Sequence, residues 1–501
     1  MKFAGSAAMR EMDRYTIEVL GVPGEELMLR AAAGAAKAAK TMLEEKPGPV
    51  TVFCGSGNNG GDGIGIAALL LEQGYQVSCV MVGEEAKLSA DSLAMLRRLE
   101  AAGGSLLPFS GEKPVPEGGA LIVDALFGTG LSREISGKYA ELIGAINESG
   151  IPVLACDIAS GISADTGEVL GCAVKADVTV TFNLPKTGQL LPPGTEYTGK
   201  LLVHDIGIPE EARAGVTFDG EYVTGDMVRA WLPGERLESH KGDYGKLLLL
   251  CGSRGYTGAA ALAAEGALRS GAGLVYLGVP EGIYPILAGK LTEPVVFPLP
   301  ESGNGRLSRT GLPDILERLS GMSACLMGPG MGQGYDTEEV VFQVLEAADC
   351  PLVLDADGIN VLFRHIDKLD KAKVPVVLTP HEGEFARLGG DLSLGRLRAA
   401  REMAKKTGAV VVLKGYRTVV AGPEGGTYVN STGNPGMAVG GSGDVLAGIL
   451  TCLLGQGMEP VRAAAAAVYI HGAAGDLCRA RLGRRSMLPT DMIGALSEIL
   501  R

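Results

Sequence analysis

Short apolar runs, each closed by a glycine- or aspartate-bearing turn and followed by a helical segment, recur from one end of this chain to the other. That alternation constrains the fold more than any other feature. Strand, turn and helix repeated in series build a parallel sheet with helices on both faces. In the first half the runs are Val50–Cys54, Gln76–Val82, Ala120–Val123, Val153–Cys156, Val178–Phe182 and Leu201–His204. In the second they are Lys246–Leu250, Leu274–Val279, Ala324–Met327, Leu352–Leu354, Val376–Leu378, Val410–Leu413 and Thr418–Ala421. Ile206–Tyr222, with Gly207, Pro209 and Gly215, reads as the linker between them. The pattern predicts two α/β domains, residues 1–212 with a doubly wound sheet and residues 222–501 with a core of their own.

Composition agrees with this and narrows the partners. The 501 residues include 75 glycines, about twice the usual share of roughly 7%, and these follow apolar runs instead of forming low-complexity linkers. A formal charge of -13, aromatic content of 5% and a single tryptophan, Trp231, disfavour nucleic acid, which needs basic surface and stacking rings. The nine cysteines show no CxxC or Cys/His metal spacing and read as buried thiols. The N-terminus lacks the long apolar core of a signal peptide. No apolar segment approaches the roughly 20 residues that span a bilayer. A soluble, reducing, cytoplasmic setting is expected.

The chemistry-bearing residues fall at strand ends, where open α/β sheets bind ligands. After Val50–Cys54 comes the turn Gly55–Gly63, GSGNNGGDG, entering a helix expected from Ile64 to Gln73. It contains GxGxxG, which by itself suggests a dinucleotide and a hydride-transferring dehydrogenase. The Asn-Asn pair and the following Gly-Gly-Asp go beyond that fingerprint, although asparagines also serve left-handed turns. Asp124 and Asp157 close two further strands, so Asn58, Asn59, Asp62, Asp124 and Asp157 should converge.

In the second half Gly440-Gly441-Ser442-Gly443 leads into Asp444 and an apolar helix. Such a turn offers backbone N–H groups and a helix dipole to an anion. Asp444 reads either as the helix cap or as a general base beside a bound phosphate. Lys414 and His381 also close strands; a solvated lysine and a satisfied core histidine are their plain alternatives.

Three strings in the first half, GSGNNGGDG, VDALFGTGL (Val123–Leu131) and DIASGISADTG (Asp157–Gly167), resemble the NAD(P)H-hydrate epimerase domain in order and spacing. The resemblance implies a Rossmann-like fold. It implies that Asn58, Asn59, Gly60, Gly61 and Asp62, with Gly128, Thr129, Gly130, Leu131, Ser132, Arg133 and Glu134, contact a damaged nicotinamide nucleotide. Asp157 would contact the hydrated ring and act as general acid/base, and a potassium ion would sit among Asn59, Asp124 and Ser160. Amide, carboxylate and hydroxyl oxygens suit a hard cation. A homo-oligomer with the N-terminal helix at its dimer face is also implied.

LTPHEGEFARL (Leu378–Leu388), the LKG at Leu413–Gly415 and GNPGMAVGGSGDVLAG (Gly433–Gly448) resemble the ADP-dependent NAD(P)H-hydrate dehydratase, an α/β sandwich of ribokinase-like fold. Ala259, Gly330, His381 and Asp444 would then contact the hydrated nucleotide. Lys414, Gly415, Tyr416, Arg417 and Thr418, with Asn434, Gly440, Gly441, Ser442 and Gly443, would hold ADP, and magnesium would accompany it. The expected function is repair of hydrated NADH or NADPH, with one domain interconverting the epimers at C6 and the other dehydrating the S epimer. Two other classes stay open: a small-molecule kinase fused to a nucleotide-binding domain, and a non-catalytic binding module.

Overall fold

Alternate residues of the first-half strands are buried on opposite sides of one sheet. Val50, Val52 and Cys54 pack with the helices Gly24–Glu45 and Asn58–Glu72, while Phe53 packs with Lys138–Glu148 on the other face. The computed structural model describes residues 1–111, 115, 117–234 and 237–501. It divides into two units, Met1–Gly220 and Glu221–Arg501.

The strands of the first unit are β1 (Val50–Cys54), β2 (Val77–Met81), β3 (Leu106–Pro108), β4 (Leu121–Ala125), β5 (Val153–Cys156), β6 (Val178–Phe182) and β7 (Lys200–His204). They lie side by side in the order β3-β2-β1-β4-β5-β6-β7, every pair parallel. The order reverses between β1 and β4, and such a switch point opens a crevice at the strands' carboxyl ends. This is a doubly wound sheet.

The glycine-rich turn after β1 is shorter than the sequence suggests, because the helix begins at Asn58 and takes in Gly60, Gly61 and Gly63. A Cβ on Gly60 would lie 1.9 Å from the Gly55 carbonyl oxygen, and one on Gly63 2.5 Å from the Ala125 Cβ. These glycines let the helix rest directly on the strand ends. Asn58 and Asn59 are therefore helical and serve no left-handed turn.

The second unit contains β8 (Gly220–Tyr222), β9 (Lys246–Leu250), β10 (Leu274–Pro280), β11 (Val295–Leu299), β12 (Ala324–Met327), β13 (Leu352–Leu354), β14 (Val376–Leu378), β15 (Val410–Leu413), β16 (Val419–Gly422) and β17 (Gly425–Val429). Their order is β8-β17-β16-β15-β14-β13-β12-β9-β10-β11. From β15 to β11 the pairing is parallel, and β15-β16-β17 is antiparallel. The helices Thr257–Arg269, Ser442–Gly455 and Pro460–Leu482 cover one face, against Leu247 and Leu249. Helix Ser442–Gly455 has no polar stripe, since Val445–Leu454 are all buried. It meets helix Thr257–Arg269 backbone to backbone; a Cβ on Gly448 would lie 2.2 Å from the Ala263 carbonyl oxygen.

Among the described residues five strands escape the sequence pattern, one of them the two-residue Lys2–Phe3. β3 and β11 are edge strands containing Pro108 and Pro298, which edges tolerate because no ladder donor is needed there. β17 opens with two glycines at a hairpin. The expected linker holds the helix Glu210–Ala214 and β8, so only part of it is irregular. No described helix is long and apolar enough to cross a membrane.

Candidate functional site

Above the β1/β4 switch point of the first unit lies a cavity of about 910 Å³. Asn58, Asn59, Asp62, Gly128, Thr129, Gly130, Leu131, Ser132, Arg133 and Asp157 all line it. Gly60 and Gly61 instead pack within the helix, and Glu134 is not part of the lining. Asp157 ends β5 with a positive φ of 64°. Its carboxylate accepts from the Lys186 ammonium, from the Thr181 hydroxyl at 3.2 Å and from the Phe182 N–H at 3.2 Å. Lys186 is almost wholly buried and also donates to Thr181 at 2.8 Å and to the Phe182 carbonyl at 3.1 Å. Gln189 fixes the Asp157 carbonyl at 2.6 Å. Asp157 and Lys186 thus form an ion pair with side chains 14% and 1% exposed.

Four other carboxyls line the cavity: Asp13, Asp62, Glu84 and Asp91. Burial raises Asp13 to about 6 against the pull of Lys186, with a smaller upward push from Asp157. Burial, then the charges of Asp157 and Asp13, push Asp62 well above the carboxylate range. Lys186 and Asp13 carry no local sequence signal, being a lone lysine after a proline and one acid among several on an amphipathic helix.

Asp124 and Ser160 are fully buried just below the cavity. Asp124 accepts from the Ser160 hydroxyl at 2.6 Å and N–H at 2.8 Å, and from the Leu126 N–H at 3.2 Å. Burial still lifts its carboxyl to about 6 against these bonds. Asn59 stands apart: its buried side-chain oxygen and nitrogen have no hydrogen-bond partner. A buried, unsatisfied amide is costly, and an unpartnered amide oxygen in the cavity lining fits a cation ligand.

In the second unit the site gathers at the carboxyl ends of β9 and β12–β15. Lys414, after β15, is no solvated lysine: its ammonium donates to Asp355 at 2.7 Å and lies 4.0 Å from Glu384. Burial opposes its charge, but Asp355, Glu384 and Asp444 outweigh that and its pKa is raised. Asp355 also accepts from the Thr379 hydroxyl at 2.7 Å. A Cβ on Gly443 would lie 3.5 Å from the Lys414 Nζ and 3.9 Å from the Asp355 Oδ2, so the glycine turn passes directly over this ion pair. Breaking it by Lys414→Met leaves a buried carboxylate unpaired and should cost about 3–5 kcal/mol. Melting curves should show that loss, and Asp355→Asn added to Lys414→Met should restore much of it.

Asp444 is the third residue of helix Ser442–Gly455, and the N-cap is Gly441, left-handed at φ 97° and without a side-chain cap bond. Asp444 is thus not the cap. Burial, then the neighbouring Asp355 charge, raises it to about 7, with Lys414 pulling the other way. Among the turn's N–H groups, that of Ser442 is spent on the Val439 carbonyl at 3.3 Å. The Ser442 hydroxyl meets buried His471 Nε2 at 3.3 Å, and burial lowers that histidine to about 4, keeping it neutral.

The other expected contacts divide. Gly330 packs on Ala259, where a Cβ on the glycine would come within 3.0 Å of the alanine's. His381 is exposed, not a core histidine; its Nδ1 accepts from the N–H groups of Gly383 and Glu384, capping helix Glu382–Arg387. Thr418 bonds Gly415, at 2.9 Å to its carbonyl. Arg417 donates to the Tyr222 hydroxyl at 2.7 Å and the Ser431 carbonyl at 2.8 Å, while Tyr416 is exposed. Asn434 holds the Gly436 N–H and Asp476, which shapes the loop ahead of the glycine turn.

Comparison with known proteins agrees with this two-site picture. The family described as YjeF-related protein N-terminus matches residues 24–188, and NAD(P)H-hydrate dehydratase matches residues 247–498. The chain is 40% identical to the bifunctional NAD(P)H-hydrate repair enzyme Nnr of Moorella thermoacetica, over 100% of this chain and 97% of that one. It is 36% identical to the enzyme of the same name from Escherichia coli, over 98% and 92% respectively. A solved structure of ADP/ATP-dependent NAD(P)H-hydrate dehydratase from Bacillus subtilis, co-crystallized with ATP/Mg2+, is 34% identical, with a TM-score of 0.48, covering 56% of this chain and 98% of that one. The chain belongs to the family of bifunctional NAD(P)H-hydrate repair enzymes.

Proposed function

We propose that the first unit epimerises hydrated NADH and NADPH at C6 around Asp157, and that the second dehydrates the S epimer at the expense of ADP around Asp444. The observation that carries the reading is one aspartate at the heart of each site, Asp157 just after a strand and Asp444 in the first turn of a helix. Asp157 is paired with Lys186, and Asp444 is raised to about 7 beside a turn suited to phosphate.

In the second unit Asp444 takes the proton of the C6 hydroxyl, and that oxygen attacks the terminal phosphate of the nucleotide. Lys414 and the helix N-terminus at Gly443 offset charge on the transferred group. The phosphorylated intermediate then loses phosphate, assisted by the ring nitrogen's lone pair. Tyr416, Arg417 and Thr418 hold the adenine nucleotide. Magnesium would shield the phosphates; Asp355 offers the one carboxylate that this ion can take from a protein when phosphate and water complete its shell. With hydrated NADH and ADP, reduced ring and free phosphate should appear in equal amounts. Accumulation of a stable phosphorylated ring would instead favour a kinase.

In the first unit the Asn59 amide oxygen, Asp124 and Ser160 would hold potassium, which supplies fixed positive charge beneath the phosphates of the substrate. Epimerase activity or melting temperature should respond to potassium more than to equimolar sodium. Asp124→Ala should erase that difference, and a wild-type protein indifferent to the cation would contradict the site.

A further inference from the structure

The N-terminal helix Ser6–Arg14 precedes the matched segment 24–188, yet it reaches the epimerase cavity. Two attachments hold it. The Ala4 N–H donates to the Pro185 carbonyl at 3.2 Å and the Thr187 N–H to the Ala4 carbonyl at 3.3 Å, which brackets Lys186. Ser6 donates to Asp165 from its N–H at 2.6 Å and its hydroxyl at 2.9 Å. Met9 and Met12 are buried in the core of the unit, and Asp13, one turn on from Met9, faces the cavity with Asp62, Asp157 and Lys186.

Three carboxyls therefore share one buried ammonium. Lys186 is bonded to Asp157 and can neutralise only one of them. Burial raises both of the others, and for Asp62 the charges of Asp157 and Asp13 add to it. Asp62 is pushed well above the usual carboxylate range. Asp13, at about 6, can both give and take a proton near neutral pH, which suits a general acid.

Resting on the epimerase reading of this unit, we propose that Asp13 is the acid that releases the C6 hydroxyl and that Asp157 is the base for its return. Asp13 transfers its proton to the C6 oxygen. The C6–O bond breaks as water leaves, and the ring nitrogen's lone pair forms the C=N bond of a cation. A water molecule adds to the opposite face of C6, the C=N electrons return to nitrogen, and the added water's proton passes to Asp157. Proton exchange among Asp157, Asp62 and Asp13 resets the pocket with no net change in charge.

The test is steady-state conversion of purified R hydrate by the full chain, with dehydration of pure S hydrate measured alongside. Asp13→Asn should lower the epimerisation kcat on the order of 100-fold or more, with KM within a few-fold and dehydration unchanged. Asp13→Glu should recover part of the loss. A wild-type kcat in Asp13→Asn, a change confined to KM, or equal inactivity of the Asn and Glu variants would overturn the proposal. A wild-type chain unable to interconvert the epimers would instead overturn the epimerase reading itself.

Discussion

Asp444→Asn is expected to slow single-turnover dehydration at saturating ADP by on the order of 100- to 10,000-fold while the protein stays as stable as the wild type or becomes more so. The two halves of that expectation share one cause. Burial and Asp355 raise the Asp444 carboxyl to about 7, so ionising it costs folding free energy. Such a group favours the folded state below its unfolded value near 4, and that contribution is lost as pH rises through about 7. Asparagine removes the penalty, so at pH 8 the variant should melt no lower than wild type. A base must be ionised to work, so the wild-type dehydration rate should climb through about pH 7 and level off above it. Near wild-type turnover with a lowered melting temperature would make Asp444 structural.

Asp157→Asn should behave in the opposite way in stability while losing as much in rate. Its carboxylate is the counter-charge of Lys186, whose side chain is 1% exposed. Removing one partner of a buried pair costs about 3–5 kcal/mol, so the first unit should melt earlier as well as lose epimerisation by on the order of 100- to 10,000-fold. Adding Lys186→Met should return stability by removing the stranded ammonium, yet epimerisation should not come back. Recovery of activity along with stability would mean that Asp157 only supports the fold.

What the sequence discloses here follows from how local each interaction is. β5, β6, β9 and β12–β15 are visible to the residue because each is an unbroken buried run between turns. β3 and β11 are hidden by edge prolines, and β17 by the two glycines that open it. The start of the helix at Asn58 is hidden for another reason. Gly60 and Gly63 look like turn residues in a sequence, but their use is close packing on Gly55 and Ala125, a tertiary fact. Asn58, Asp62 and Asp157 are made visible by their position after apolar runs, and Asp444 by the glycine turn that leads into its helix. Asp13, Lys186 and Asp355 reach the same sites from other elements, and their proximity exists only once the sheets are formed. Asp355 stands in a conspicuous strand-end motif, but nothing in that motif names Lys414 as its partner.

The central claim, one chain with two separable sites acting on the two epimers of one damaged nucleotide, is tested most directly by a single progress curve. Purified protein is given a mixture of R and S hydrated NADH with excess ADP, and the absorbance of the reduced ring is followed to its end point. Wild-type protein should restore the whole mixture, Asp157→Asn only the S share before slowing to the uncatalysed exchange, and Asp444→Asn essentially none. A wild-type curve that stops at the S share, or an Asp157→Asn curve that runs to completion at the wild-type rate, would contradict it.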